Sequence, residues 1–297
     1  MTPPVSRAAA SGSLIRIGEL SRRLGVSPDL LRVWERRYGL LQPARTAGGF
    51  RLYSPADEER VRAMRRHLAQ GFSAAVAARM ALGAPLSQGV RDGDGVLEAA
   101  QEELGVALEA FRDVDAQTVL DRLLAAFSVE AVLRDVVLPY LHTLGARWES
   151  GEVSVAQEHF ASSVLRGRLL GLARGFDLGA GPRALLACPP GEPHDLGLLC
   201  FGIGLRDHGW RITYLGADTP IDTLGDTAAR LRPDLVVLCS ELEEPLRAVV
   251  DEVAQLAASH PVTLAGRGAS AEIAHAAGTG LIQDAPMAAA ARIASGG

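Results

Sequence analysis

Three different spacings of apolar residues follow one another along this chain. Near the start, IRIGELSRRLG (15–25) sets Ile17, Leu20 and Leu24 at helical intervals, which predicts a short amphipathic helix. Gly25-Val26 turns the chain, Ser27 reads as an N-cap, and Pro28 fills the first helical position, where a missing N–H costs nothing. The second helix, PDLLRVWERRYG, buries Leu30, Leu31 and Trp34 in part and turns Arg32, Arg36 and Arg37 to solvent. In RTAGGFRLYS (45–54), Ala-Gly-Gly lies between two β-prone pieces and predicts a hairpin decorated by Arg45, Arg51 and Tyr53. Ser54-Pro55-Ala56-Asp57 opens a further helix by the same cap-and-proline grammar.

After a Gly/Asp-rich linker, APLSQGVRDGDG (84–95), the spacing stays helical to about Gly175. Four segments, about 96–112, 115–127, 129–149 and 155–174, are joined by short turns, so antiparallel neighbours and a four-helix bundle are expected. Ser154 and Gln157 form a capping box at the start of the fourth. Trp148 ends the third helix while Glu158 and His159 begin the fourth, which gathers all three at one end of the bundle.

From 183 the pattern changes to short apolar strands alternating with helices. RALLACPP, WRITYLGA, DLVVLCS, PVTLAGR and TGLIQD belong in a parallel sheet covered on both faces, a flavodoxin-like α/β domain. Ligands of such sheets bind beyond the carboxyl ends of the strands. The loops there are Gly191–Gly197, Gly216–Pro220, Ser240–Glu243 and Gly266–Ser270, placing His194, Ser240 and Gly266 on one rim. A dinucleotide site is not indicated, because no GxGxxG follows the first strand; Gly202 and Gly204 fall within the next helix. A receiver domain would want an aspartate where Ser240 stands, and nucleophile elbows are missing. The expected organisation is a tail (1–13), a winged helix-turn-helix (14–83), the linker, the bundle (96–176) and the sheet domain (180–297).

Charge sharpens this division. Of the 297 residues, 1–90 hold 14 Arg against 6 acids and 91–297 hold 16 Arg against 29 acids, with no Lys anywhere. A basic head on an acidic body points to a polyanion partner for the head alone. No apolar run approaches the roughly 18 residues of a membrane span, and MTPPVSRAAASGS lacks the features of a secretion signal, so a cytoplasmic protein is expected. Cys188, Cys200 and Cys239 show no CxxC spacing and read as buried free thiols.

Residues 15–80 resemble the DNA-binding domain of the MerR family: IGELSRRLGVSPDLLRVWERR, the wing RTAGGFRLYS and a following helix pair stand in the family's order. The resemblance implies a double-stranded DNA operator as partner. Arg32, Arg45 and Arg51 would grip phosphates, Arg36 would face the duplex from the recognition helix, and Ser27 and Tyr53 would help seat the head. Phosphate contacts position such a head without reading sequence.

Glu192-Pro193-His194-Asp195-Leu196-Gly197, then Ser240-Glu241-Leu242, then Gly266-Arg267-Gly268 resemble the cobalamin-binding signature D/ExHxxG…SxL…GG, with Ala265 standing where a first glycine is usual. The resemblance implies His194 as the lower axial ligand on cobalt, with Asp195 as the acid that fixes its tautomer. The displaced nucleotide tail would pass the Ser240–Leu242 loop and the small residues 266–268, and Gly197 would let the following helix pack close. Trp148, nine residues, then Glu158-His159 resembles the W-x9-EH pattern of CarH/LitR-type regulators, which join MerR heads to cobalamin domains. By that resemblance Trp148 would stack on adenine and Glu158 would accept hydrogen bonds from the adenosyl group, selecting adenosylcobalamin. The expectation is a non-enzymatic repressor, tetrameric with cofactor in the dark and released from DNA by light through Co–C cleavage. Photoreceptors of the type often carry a histidine after the tryptophan; here that residue is Glu149, with His159 and His142 as candidate substitutes. The alternatives are a corrinoid protein for methyl transfer or radical chemistry, a light-independent cobalamin sensor, and a regulator that has lost its cofactor.

Overall fold

The computed structural model describes residues 14–46, 48–83 and 93–296; the expected tail and residues 84–92 of the expected linker lie outside the described residues. By packing, the chain divides into two compact units, one running to Glu102 and taking in Thr118–Val132, the other made of Glu103–Gln117 and everything from Leu133. This division by packing runs through the helical region. Its physical cause is a set of contacts that holds the Ala126–Ala131 corner to the head.

In the first unit, α1 (Ile17–Leu24) ends at Gly25 in the left-handed conformation, and α2 (Pro28–Tyr38) starts where the Ser27 hydroxyl accepts the Leu30 N–H at 3.2 Å. Strands β1 (Ala44–Arg45) and β2 (Arg51–Leu52) pair antiparallel as the wing. Helices α3 (Pro55–Ala69) and α4 (Ala74–Ala81) complete the head. Leu20, Leu24, Leu31, Trp34, Leu40, Val61 and Met64 form its core. Two expectations change. Leu30 stays 42% exposed, because it lies one position off the Leu31–Trp34 stripe. Tyr53 does not decorate the wing; it is buried in the core, since Ile15 pairs with its backbone and turns the ring inward.

The helical region comprises α5 (Gly93–Glu109), α6 (Asp113–Ala126), α7 (Val129–Val132), a π-helical turn (Leu133–Val137), α8 (Leu138–Glu149) and α9 (Val155–Leu172). Helix α5 claims the last three residues assigned to the linker. The third expected helix is interrupted because Pro139 has no N–H and its ring would strike the carbonyl four residues back. The wider π turn absorbs that conflict without ending the helix.

The sheet, in the second unit, has five parallel strands in the order β4-β3-β5-β6-β7: β3 (Arg183–Ala187), β4 (Arg211–Gly216), β5 (Leu235–Cys239), β6 (Val262–Ala265) and β7 (Gly280–Leu281). Helices α10 (Leu196–Asp207), α11 (Ile221–Leu231), α12 (Glu243–Ala248), α13 (Val250–Ala257), α14 (Ala271–Ala276) and α15 (Pro286–Ala294) connect and cover them. Leu185, Val236, Leu238 and Leu264 pack under α11, α13 and α14, whereas Ala184, Leu186 and Val237 pack under α10 and α15. Both sheet faces are thus dry, which explains the near-continuous apolar strands. The strand order reverses between β3 and β5, so their carboxyl ends open the crevice where such folds bind ligands.

Close packing of α10 does not come from Gly197, where a β-carbon would meet nothing within 4 Å. It comes from Gly202 and Gly204, whose β-carbons would press on Leu186 and Ala290 at 2.9 Å. The three cysteines are buried and free, and burial pushes Cys200 and Cys239 up to about 12. Among the described residues no helix is long and apolar enough to cross a membrane.

Asp57 is the head's one fully buried acid. It accepts hydrogen bonds from the Gln42 and Ser54 N–H groups at 2.8 Å, from the Ser54 hydroxyl and from Arg60. Burial alone would raise its pKa, but these donors outweigh burial and hold it below 3.8. The stabilisation is therefore complete above 3.8 and disappears as pH falls through the lower folded-state value. Asp57→Asn should destabilise the head by about 1–3 kcal/mol at neutral pH. The gap from wild type should close in strong acid, as read by circular-dichroism melts across pH.

Candidate cofactor site and DNA-binding face

At the carboxyl ends of β3 and β5 the centre of the rim is the Glu192 carboxylate, which has no solvent exposure. One oxygen accepts the His194 N–H at 2.8 Å and the His194 ring Nδ1 at 2.6 Å. The other accepts the Ser240 hydroxyl at 2.6 Å and the backbone N–H groups of Glu241 and Leu242 at 2.7 and 2.9 Å. Burial opposes the charge, but these donors prevail and bring Glu192 down to about 2. One carboxylate thus ties the loop after β3 to the loop after β5.

The same contact decides the state of His194. In the neutral ring Nδ1 donates its proton to Glu192, which leaves the lone pair on Nε2; the ring is 50% exposed. The hydrogen bond to Glu192 also raises the ring's pKa, against the opposing effect of burial. Asp195 is not the acid that orients His194. It is buried and engaged by the Arg166 guanidinium and the Tyr214 hydroxyl, because the start of α10 turns its side chain away toward α9 and β4.

Arg166 lies on α9 two turns beyond Glu158, with Ser162 between; Glu158 accepts the Ser162 hydroxyl at 2.5 Å. The residues 158, 162 and 166 make one polar stripe at i, i+4 and i+8, about 12 Å long. Since Arg166 touches the residue after His194, the stripe faces the rim. Trp148 stands at the end of α8 with its indole 44% exposed. His159 follows Glu158 and is largely solvent-exposed, with Nε2 3.6 Å from that carboxylate.

Behind the Ser240 loop, Gly266 has φ +91°, and a β-carbon there would collide with the Ser240 carbonyl. One at Gly268 would collide with the Leu242 carbonyl. Both positions must be glycine for the β5 and β6 loops to lie flat together, held by Gly268 N–H to Ser240 O at 2.9 Å. Ser240 itself is buried in the Glu192 lock, and Leu242 contributes backbone groups to it while its side chain stays exposed.

Among the described residues no three His, Cys, Asp or Glu side chains could cage a metal ion. A single exposed imidazole, open space above Gly197 and a side-chain-free approach of the Gly266–Gly268 loop to the Ser240–Leu242 backbone suit a metal that brings its own equatorial ring. The residues fit cobalamin.

On the head, Ser27, Arg32, Arg36, Arg45 and Arg51 are all exposed. Arg32 pairs with Asp29 at 2.6 Å, and Arg51 donates to Glu35 at 2.9 Å, which also accepts the Tyr53 hydroxyl at 2.9 Å. Glu35 therefore clamps the wing to the recognition helix, and Tyr53, pushed to about 12 chiefly by burial, holds that clamp from inside. The sequence reading missed Glu35, Arg166 and Tyr214. The 158/162/166 stripe was a legible signal for Arg166; Tyr214 left none, sitting in an ordinary strand.

Residues 15–83 match the family described as MerR HTH family regulatory protein, and residues 100–170 and 182–287 each match a B12 binding domain. The chain is 36% identical over 234 residues to the HTH-type transcriptional repressor CarH of Myxococcus xanthus, covering 75% of this chain and 77% of that protein. It is 36% identical over 262 residues to the repressor CarA of the same organism, covering 86% and 87%. The structure of the Methanosarcina barkeri monomethylamine corrinoid protein aligns with a TM-score of 0.57 at 16% identity, over 67% of this chain and 99% of that one, showing a shared fold. With head, helical region and sheet all accounted for, this chain belongs to the CarH and CarA family of MerR-type transcriptional repressors, as a non-enzymatic, cobalamin-linked, DNA-binding regulator.

Proposed function

We propose that this regulator represses transcription when it holds adenosylcobalamin, self-assembles in that state to a tetramer, and leaves its operator when light removes the adenosyl group. The observation that carries the reading is the Glu192–His194 pair, which in the neutral ring leaves Nε2 available for cobalt. When bound, adenosylcobalamin supplies a cobalt–carbon bond that visible light breaks. His194 would hold the lower face, with Glu192 keeping the imidazole in the donor tautomer. The nucleotide tail would pass the small residues at 266–268 and the Ser240–Leu242 loop, which pack together without intervening side chains. On the upper side, the exposed Trp148 indole offers a stacking face for adenine, and Glu158 offers acceptor oxygens.

Helix α9 then links cofactor to assembly: it carries Glu158 at one end and reaches the His194 loop through Arg166 and Asp195. Occupancy of the upper face favours the arrangement of α8 and α9 that self-associates, and its loss withdraws that bias; a clean switch needs a difference of about 5.5 kcal/mol between the states. Several heads on one assembly hold DNA far more tightly than one, through effective concentration. Arg32, Arg36, Arg45 and Arg51 supply the phosphate contacts.

Glu149 favours a second reading, light-independent sensing of adenosylcobalamin. His142 lies six residues before Trp148 on α8, about 240° round the helix, so it shares no face with the indole. His159 stands beside Glu158.

Adenosylcobalamin added in darkness should raise the molecular mass to that of a tetramer and enable DNA binding, and green light should reverse both. Reversal only on cofactor removal would establish the second reading, and an unchanged mass in all conditions would sink both. His194→Ala should remove the imidazole-ligated absorbance of bound cobalamin; an unaltered spectrum overturns the ligand assignment. Trp148→Ala should narrow the preference for adenosylcobalamin over methylcobalamin by about tenfold in titrations, equivalent to about 1.4 kcal/mol.

A further inference from the structure

The turn between α3 and α4 lies edge to edge with the turn between α6 and α7, both within the first unit. Ser73 N–H donates to Ala126 O at 3.0 Å and Ser128 N–H donates to Gly71 O at 2.9 Å. Phe72 and Phe127 are thereby the facing pair of a single antiparallel bridge. Their rings stack with centroids 4.8 Å apart and planes 19° from parallel, and the His67 ring meets Phe72 edge-on at 6.2 Å. Both phenylalanines are buried. Gly71 has φ +84°, and a β-carbon there would come within 2.8 Å of the Ala131 β-carbon. Hydrogen bonds, stacked rings and a position too tight for any side chain converge on one spot, so this is a built joint. It binds the head to the helical region independently of the chain that runs through 84–92.

The joint leaves the DNA-binding side chains uncovered: Arg32, Arg36, Arg45 and Arg51 are exposed with the head so seated. A clamp that silenced the head would hide them. Helices α5 and α6 each contribute residues to both packing units, and α6 ends at the Phe127 turn. We propose that the Phe72–Phe127 joint positions the DNA-binding head on the helical region, so that heads in an assembly meet DNA at a fixed orientation. The proposal rests on the assembly reading above and adds to it the residues that carry the signal to DNA.

A disulfide tests it. Facing residues that exchange no hydrogen bonds between themselves have Cα atoms about 4.5 Å apart, inside the range a disulfide spans. The double variant Phe72→Cys/Phe127→Cys is prepared as the full chain, loaded with adenosylcobalamin in darkness, and compared oxidised and reduced. Mass spectrometry verifies the cross-link against the native thiols Cys188, Cys200 and Cys239. The probe is a duplex selected from random sequence by the wild-type protein. The oxidised form should bind within twofold of wild type, and the reduced form, with rings lost and joint loose, at least tenfold more weakly, both at wild-type assembly mass and cofactor absorbance. Gly71→Ala, which keeps both rings but wedges the joint against Ala131, should show the same loss, so a reduced variant that merely unfolds does not decide the matter. An oxidised form that fails to bind while the reduced form binds as wild type would make the joint an inhibitory clamp; equal binding by all forms would make it inert. Either result overturns the proposal. A wild-type mass that does not rise with cofactor sinks the assembly reading, whereas a normal rise with equal DNA binding sinks the joint alone.

Discussion

The Glu192 carboxylate is a negative charge sealed from water, and five hydrogen bonds from two loops are what make that tolerable. A buried carboxylate lacking such donors would take up a proton, because removing a charge from water is expensive. Here the donors are so numerous that the group remains ionised well into acid. Structure and chemistry therefore rest on one contact. The loops after β3 and β5 meet at the strand-order reversal because both donate to Glu192, and His194 presents Nε2 outward because its other nitrogen is committed there.

The architecture was open to sequence reading wherever burial imposes a period. Continuous apolar strands announced a sheet covered on both faces, and serine-proline starts announced α2 and α3. The π turn had its signal in Pro139, but a proline says where a helix is troubled and not how it recovers. At the site, the spacing of Glu192, His194, Ser240 and Gly266 was legible, whereas the pairing among the acids was not. Adjacency in sequence favoured Asp195 as the partner of His194. The fold gives that role to Glu192, because its side chain reaches over both the His194 N–H and the ring, while Asp195 enters α10 and faces Arg166 and Tyr214. Those two come from 29 residues before and 19 after, separations at which no local pattern operates.

Tyr53 teaches the same lesson on the head. Its place beside Arg51 made it look like surface, yet two-residue strands are too short to enforce alternation, and the Ile15 bridge draws the ring inward. The arginine-rich face is also partly self-neutralised, since Arg32 holds Asp29 and Arg51 holds Glu35. Exposed ion pairs are worth about 0–1 kcal/mol, so Arg32 can trade its carboxylate for a phosphate at little expense. Arg51 differs, because Glu35 is also anchored by buried Tyr53, so this arginine reaches outward from a braced base.

His194 and Asp195 are consecutive, yet they answer to different parts of the molecule: the first is oriented by the sheet's own loops, the second is gripped by a helix outside the sheet. Neighbouring Cα atoms are about 3.8 Å apart across a rigid, planar peptide. A single peptide plane is thus the axle between the imidazole and α9. A displacement of the backbone at one is therefore a displacement at the other, with only the side chains left to adjust.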